Sequence, residues 1–430
     1  MPYPDSPFEL GFHVEALFQL GDDDGEAAVN EVQIERLGKW LCGAPEITTF
    51  RVNTLRGDVG EVRDAVEAHL RVAGGEAMVE RYPHCDEAII VHHPPTAAEF
   101  QLKIHEKEIV VDPICAAAVL RGAHIYAPGV MAMMAGTQRG DHVSIYCDLE
   151  KRCRKGLSKK YEGKKTFIGN GLVKMERHHL FCETPKTGIA IQMLETKSNC
   201  PPLLGDDFLP SGVAILQNLP SIICIHVLNP QPGDIILDMC ASPGNKTTHI
   251  AALTKNQGRL VAIDKTPTKV AQLRRNCDVF GAKAEIIQTD STKLVEDGRF
   301  ALETFDKILL DAPCSALGKR PQLRNTVTKK VLRSYVPLQR KLFQNAVKLL
   351  KPDGILVYST CTVTLAENEG IVAWALKNFD LELEEATPIL AGPGWKGTNL
   401  NDEQLAKVQR FGPDQSIDSV GFFIAKFIKR

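Results

Sequence analysis

From about residue 211 onward the sequence predicts an α/β fold, an open and doubly wound sheet, mostly parallel, with helices on both faces. Three observations carry that expectation. Apolar runs of strand length, "DIILDM", "RLVAID", "AEIIQTD", "FDKILLDAP" and "GILVYSTC", alternate with amphipathic helical patterns. The runs are apolar throughout, as strands buried on both faces are. Their ends carry, in order, Asp238, Asp264, Asp290, Asp311 and Cys361. Open α/β sheets bind ligands beyond the carboxyl ends of their strands, so this array marks a site. One such aspartate is usually a cap or turn residue; five in succession are harder to explain that way.

The elements follow in chain order. Residues 1–107 form an α+β region, with helical patterns "NEVQIERLGKWL" and "DVGEVRDAVEAHLRV" and short strands "TTFRVN" and "EAIIVHH". Residues 108–197 change texture: "KEIVVD", "HIYAPGV", "DHVSIYCDL" and "KTFIGNGLVKM" are short β-like runs separated by Gly and Pro, which predicts a compact β-rich module. "KSNCPPLLGDDFLP" (197–210) reads as a linker, and residues 198–430 as the α/β domain. Its helices are "NKTTHIAALTKN", "TPTKVAQLRRNCDVFG", "VPLQRKLFQNAVKLL" and "LAENEGIVAWALKNF", and "SVGFFIAKFIKR" adds a late strand at or near an edge.

Composition narrows the class. The chain has 430 residues, 44% hydrophobic and 24% charged, enough for a real core and for two or three domains. A net charge of −2 gives no whole-chain attraction to a polyanion, so any nucleic-acid site must be a local patch. The N-terminus has no basic segment followed by an apolar core, and "GVAILQNLPSIICIHVL" is broken by Gln217, Asn218 and Pro220, so neither a signal peptide nor a membrane span is expected. Twelve scattered cysteines without secretory features read as reduced thiols of a cytoplasmic protein. No C-x-x-C pair or zinc-ligand histidine spacing supports a metal.

The first strand leads into "DMCASPGNKTTHIAAL", where Pro243 and Gly244 permit a tight turn and the following helix offers free amides. The stretch has one glycine, so it lacks the dinucleotide fingerprint G-x-G-x-x-G, and it lacks both glycines of the Walker loop. A nucleotide hydrolase, with "ILLD" as its acidic strand, is the weaker rival. A nucleoside thioether without phosphates fits better. Asp264 lies 20 residues after Gly244 at a strand end, placed to grip ribose hydroxyls, and Asp290 ends the third strand, placed for an adenine amino group. S-adenosylmethionine meets these requirements.

Two cysteines and an aspartate at strand ends suit one chemistry. Cytosine carbon 5 is too weak a nucleophile to take a sulfonium methyl directly; adding a thiolate at carbon 6 makes carbon 5 reactive. A carboxylic acid near the ring nitrogen stabilises the charge, and a second group must help free the first thiol. "DAPC" and "STC" supply Asp311, Cys314 and Cys361, whereas Cys224, Cys240 and Cys277 read as buried core thiols.

"DMCASPGNKT", "DAPCS", "YVPLQRKLFQNAVKLLKPDGILVYSTCT" and "AENE" resemble the Nop/Sun-type RNA cytosine-5 methyltransferases over about residues 205–430. The resemblance implies a Rossmann-like S-adenosylmethionine methyltransferase domain. It implies that Cys361 is the nucleophile, that Cys314 acts as base or release helper, and that Asp311 polarises the cytosine edge with Lys246 alongside. Cys240, Ala241, Ser242, Pro243, Gly244, Asn245, Lys246, Asp264, Asp290 and Asp311 would surround the cofactor and base. Where the family has Ala-Ala-Pro-Gly-Gly-Lys-Thr, this chain has Ser242 and Asn245. Asn is the residue after glycine that best tolerates a left-handed backbone, so cofactor binding is expected to survive.

"VLRGAHIYAPGV" with "GDHVSIY" and "KTFIGNGLV" resembles a PUA domain over 108–197. Within it, "KRCRKGLSKKYEGKK" holds eight basic residues and one acidic, a local phosphate footprint in a chain of net charge −2. Arg121, Arg154, Lys155, Lys159 and Lys160 are the expected RNA contacts, with Tyr126 as a stacking platform. An inserted PUA module resembles the sixth-type animal branch of the family. That implies a monomer acting on tRNA at the last acceptor-stem pair beside the discriminator base, with the PUA module on the CCA end. The tRNAs for cysteine and threonine and CCA-containing mRNA hairpins would be substrates. A catalytically inactive RNA-binding protein is the alternative from another class; the presence of Cys361, Cys314 and Asp311 argues against it.

Overall fold

The computed structural model describes residues 4–8, 14–20, 31–72, 77–94, 102–182, 187–203, 208–413, 415 and 417–430. Residues 204–207 of the expected linker, and residues 1–3 and 9–13 of the stretch read for a signal sequence, lie outside the described residues. Among the described residues no helix is long and apolar enough to cross a membrane.

The C-terminal sheet has eight strands. Five are parallel: Ile235–Asp238, Arg259–Asp264, Glu285–Gln288, Phe305–Asp311 and Leu350–Thr360. Counted one to five along the chain, they stand in the order 3-2-1-4-5. Beyond the fifth comes antiparallel Phe422–Lys429, then Leu381–Glu384, with Gln409–Phe411 also pairing with Phe422–Lys429. The predicted α/β class holds. The last strand lies one place in from the edge, which Leu381–Glu384 takes.

The apolar runs are explained by burial on both sides. Leu309, Val357 and Ile424 pack beneath helices Leu219–Leu228 and Asn245–Leu253, while Leu310, Leu356 and Tyr358 face helices Lys329–Leu349 and Glu369–Asn378. Leu219–Leu228 is apolar on nearly every side, as a fully buried helix is, so it shows no amphipathic period. Asp290 stands two residues past the end of its strand at Gln288, a correction to its expected place, because pairing with Arg259–Asp264 ends at Gln288.

Residues 108–196 carry a six-stranded sheet. Its order is Ile125–Tyr126, Ile189–Thr196, Lys165–Val173, His142–Asp148, Glu108–Val111 and Val130–Met133. The N-terminal sheet is antiparallel, ordered Ala214–Leu216, Ile47–Val52, Ala88–His92 and Met78–Arg81, with helix Val59–Val72 against it. Chain beyond the linker thus returns to the N-terminal sheet before the parallel sheet begins.

That N-terminal sheet braces the helix Asn245–Leu253 from behind. Arg51, fully buried, donates through Nε to Gln217 Oε1 at 2.7 Å and through Nη2 to Thr248 Oγ1 at 2.8 Å and the Asn245 carbonyl at 3.2 Å. Glu87 Oε1 accepts from His226 Nε2 at 2.7 Å and His249 Nε2 at 2.6 Å. These three side chains have the composition of a metal site. Their separations are those of hydrogen bonds, whereas tetrahedral ligands ~2.1 Å from a shared ion would stand about 3.4 Å apart. Burial holds the His249 imidazole down to about pKa 4 from 6.5. Unfolding lets His249 take up a proton below pH 6.5 that the folded protein refuses until about pH 4, so stability is complete above 6.5 and lost as pH falls. Melting curves across this range should show Tm falling on acidification, with a shallower fall in His249→Gln; identical slopes would remove His249 as a cause.

Candidate active site

The loop expected to hold the cofactor leaves the first parallel strand at Asp238, a buried side chain that accepts from Thr247 Oγ1 at 2.7 Å. Burial pushes its pKa up to about 7. Gly244 carries φ +106° and precedes the helix Asn245–Leu253, and a Cβ there would lie 2.9 Å from Leu273 Cδ1. The left-handed residue is therefore Gly244. Asn245 is the first helical residue without positive φ, so its tolerance of that backbone is not used.

The second strand ends at Asp264, whose Oδ2 accepts from the Ser242 amide at 3.2 Å and whose Oδ1 accepts from the Lys265 amide at 2.8 Å. An ionised carboxylate has about four lone-pair positions, so capacity for hydroxyl donors remains. Asp290 pairs with Lys265 Nζ at 2.9 Å and accepts twice from Thr292. Burial alone would raise its pKa; Lys265 and Thr292 outweigh it and bring it to about 2. Ala241 is tied to Ile263, and Pro243 to Asn276 Nδ2, so the loop is fixed on both sides. Cys240 is pushed well above its ordinary pKa by burial and the surrounding aspartates, an inert thiol.

Between the first and fourth strands the sheet order reverses, the place where such sheets bind ligands. Lys246 crosses that gap to Asp311 Oδ2 at 2.7 Å, and Asp311 Oδ1 accepts from Ser359 Oγ at 2.6 Å. The parallel pairing that sets Asp311 against Ser359 brings the two chemical loops together. Cys314 Sγ lies 3.5 Å from Cys361 Sγ. A hydrogen bond from Cys314 lowers the Cys361 pKa, opposed by burial and Asp311 and helped by Lys246 and Lys319. Cys314 is pushed well up by that same contact, by burial and by Glu367. These surroundings favour a thiolate at Cys361 over one at Cys314.

Sequence reasoning missed the groups around these thiols. Glu367 and Gln339 stood within the quoted motifs, yet isolated polar residues in helical text carry no sign that they meet a loop 26 to 52 residues away. A cleft of about 770 Å3 lies elsewhere, lined by Phe18, Leu37, Trp395 and Arg410, and includes neither thiol.

The expected RNA contacts fall in two places. Arg154, Lys155, Lys159 and Lys160 are exposed on a loop laid along the edge strand Val130–Met133. Lys155 Nζ reaches the Pro128 carbonyl at 3.1 Å, beside the exposed Tyr126. Lys165, from the same basic run, is bound to Glu108 at 2.7 Å and unavailable to phosphate. Arg121 instead lines a polar cleft of about 300 Å3 with Thr48, His93, Asn218 and Asn245 of the cofactor loop.

Sheet order, loop and paired thiols define an S-adenosylmethionine-dependent methyltransferase. A family model described as 16S rRNA methyltransferase RsmB/F matches residues 225–428. The chain is 41% identical to the mouse tRNA (cytosine(72)-C(5))-methyltransferase NSUN6, over 93% of this chain and 90% of that protein. It is 35% identical to the tRNA (cytosine(72)-C(5))-methyltransferase of Pyrococcus horikoshii, over 88% of each. The crystal structure of NSun6 from Pyrococcus horikoshii with SFG, an S-adenosylmethionine analogue, superposes with a TM-score of 0.73 at 32% identity, covering 93% of this chain and 94% of that one. The chain belongs to the Nop/Sun family of RNA cytosine-5 methyltransferases, which removes the nucleotide-hydrolase alternative.

Gly244→Ala adds a side chain against Leu273 and a backbone cost of about 1–2 kcal/mol. Calorimetry should show S-adenosylmethionine binding weakened by about tenfold or more, the equivalent of about 1.4 kcal/mol. Unchanged affinity would show that the loop backbone relaxes without loss.

Proposed function

We propose that this protein methylates carbon 5 of a cytosine in the tRNA acceptor stem, beside the discriminator base, through a transient bond from Cys361 to carbon 6. The observation supporting this most directly is the 3.5 Å thiol pair, in which the Cys361 pKa is lowered and the Cys314 pKa raised. The mouse and Pyrococcus relatives carry the same activity in their names, position 72 included.

In this reading the Asp264, Asp290 and Ser242–Asn245 surroundings hold S-adenosylmethionine, which supplies an electrophilic methyl group. The Cys361 thiolate uses its electron pair to form a bond to carbon 6, and the pair of the carbon 5–carbon 6 double bond is displaced into the ring, toward nitrogen 3. Asp311, held by Lys246 and Ser359, lies beside the thiols to bind that ring edge. After methyl transfer a base takes the carbon 5 proton, the electron pair of that C–H bond re-forms the ring double bond, and the sulfur–carbon 6 bond breaks. Cys361 leaves as a thiolate. Cys314, 3.5 Å from that sulfur, is placed to donate to the departing charge as release helper.

The six-stranded module would act as a PUA domain on the CCA end, its exposed cations on phosphates and Tyr126 against a base. Extruding a stem cytosine costs least near a fraying helix end. The tRNAs for cysteine and threonine are the first substrates to test, followed by CCA-containing mRNA hairpins.

Cys361→Ser should abolish methyl transfer, whereas Cys314→Ala should accumulate a covalent protein–RNA adduct visible on denaturing gels. An adduct in Cys361→Ser but not in Cys314→Ala would reverse the roles. Replacing Arg154, Lys155, Lys159 and Lys160 with Ala should weaken tRNA binding while leaving cofactor affinity unchanged. The salt dependence of binding should flatten by roughly one unit of slope for each phosphate that is no longer neutralised.

A further inference from the structure

We propose that Glu367 and Asn368 are the positioning pair for the two thiols, Asn368 fixing both chain neighbours of Cys361 and Glu367, with Gln339, fixing both neighbours of Cys314. The proposal rests on the two-thiol reading above and extends it to residues that touch neither thiol.

The Cys361 half is short. Thr360 Oγ1 donates to Asn368 Oδ1 at 2.6 Å, and Asn368 Nδ2 donates to the Thr362 carbonyl at 3.1 Å. One amide side chain thus spans the residues on either side of the nucleophile.

The Cys314 half uses a carboxylate. Glu367 Oε2 accepts from the Ser315 amide at 3.0 Å and from Gln339 Nε2 at 2.9 Å. Its Oε1 accepts from Thr364 Oγ1 at 2.9 Å and from Ser315 Oγ. Gln339 Nε2 also donates to the Pro313 carbonyl at 3.0 Å, so Pro313 and Ser315 are both held. The halves are joined: Ser315 Oγ gives its proton to Glu367 and receives one from Thr362 Oγ1 at 2.7 Å. Tyr358 Oη donates to the Glu367 carbonyl at 2.6 Å, fixing the segment to the strand that delivers Cys361.

Glu367, Asn368 and Gln339 are essentially excluded from solvent. Four donors fill the carboxylate's four lone-pair positions, so an amide in its place faces its N–H groups into two of them. A buried network that is only partly satisfied is costly, and its loops shift to relieve it. Glu367 also bears on Cys314, adding to the Cys361 contact and burial in raising that thiol's pKa.

The test uses the full chain with two nearly isosteric variants. Glu367→Gln opens the Cys314 half; Asn368→Asp keeps the acceptor for Thr360 and loses the donor to Thr362. Iodoacetamide alkylation at Cys314 and Cys361 is followed by peptide mass spectrometry, beside kcat and KM for tRNA, cofactor affinity by calorimetry, and Tm. In the unaltered protein Cys361 should react faster than Cys314. In Glu367→Gln that preference should shrink and kcat should fall by as much as about a hundredfold, the cost of an ångström's misplacement, with KM and cofactor affinity little changed. Asn368→Asp should lower kcat in the same way. An unchanged alkylation preference in Glu367→Gln, or a kcat loss matched by an equal loss of cofactor affinity and Tm, would overturn the proposal. Failure of the two-thiol mechanism itself is read separately, from activity surviving in Cys361→Ser, because alkylation reports the thiols whichever one reacts with RNA.

Discussion

Two parallel strands lying side by side, Phe305–Asp311 and Leu350–Thr360, are the constraint on which the site depends. Their register sets Asp311 opposite Ser359. The loops that leave these strands are therefore forced into the same small volume at the carboxyl edge, and Cys314 meets Cys361 across 47 residues of sequence. Slip that register and the thiols part. The sheet is rigid because it is covered on both faces, and rigid elements place catalytic groups more accurately than loops do.

Charge is distributed in the site so that the two thiols differ. Asp311 is balanced by Lys246, which also lies 5.3 Å from the Phe422 ring and is removed from solvent. The contact between the two thiols, with Lys246 on one side and Glu367 on the other, lowers the Cys361 pKa and raises that of Cys314. Identical side chains acquire different chemistry from their surroundings alone.

The modules outside the parallel sheet serve it in different ways. The N-terminal sheet braces the helix Asn245–Leu253 through hydrogen bonds from buried Arg51 and to buried Glu87, which offset part of the cost of burying them. The middle sheet keeps most of its cations exposed on one loop, but Arg121 turns toward the cleft that Asn245 lines.

The sequence by itself determined the α/β class and the succession of five apolar strands along the chain, and it marked the Pro-Gly loop and the two cysteines as candidates, because each leaves a local signature: continuous apolar runs, a Pro-Gly turn, a reactive residue at a strand end. Helix Leu219–Leu228 was not legible, since burial on all sides erases the amphipathic period, and the third strand was carried two residues too far, to Asp290, for want of a register. Only tertiary structure decided that Ala214–Leu216 returns to the N-terminal sheet, that Gly244 rather than Asn245 takes the left-handed turn, and that Glu367, Asn368 and Gln339 surround the thiols. Those contacts join residues far apart in the chain through hydrogen bonds, which depend on where backbones cross and leave no periodic trace in the order of the amino acids.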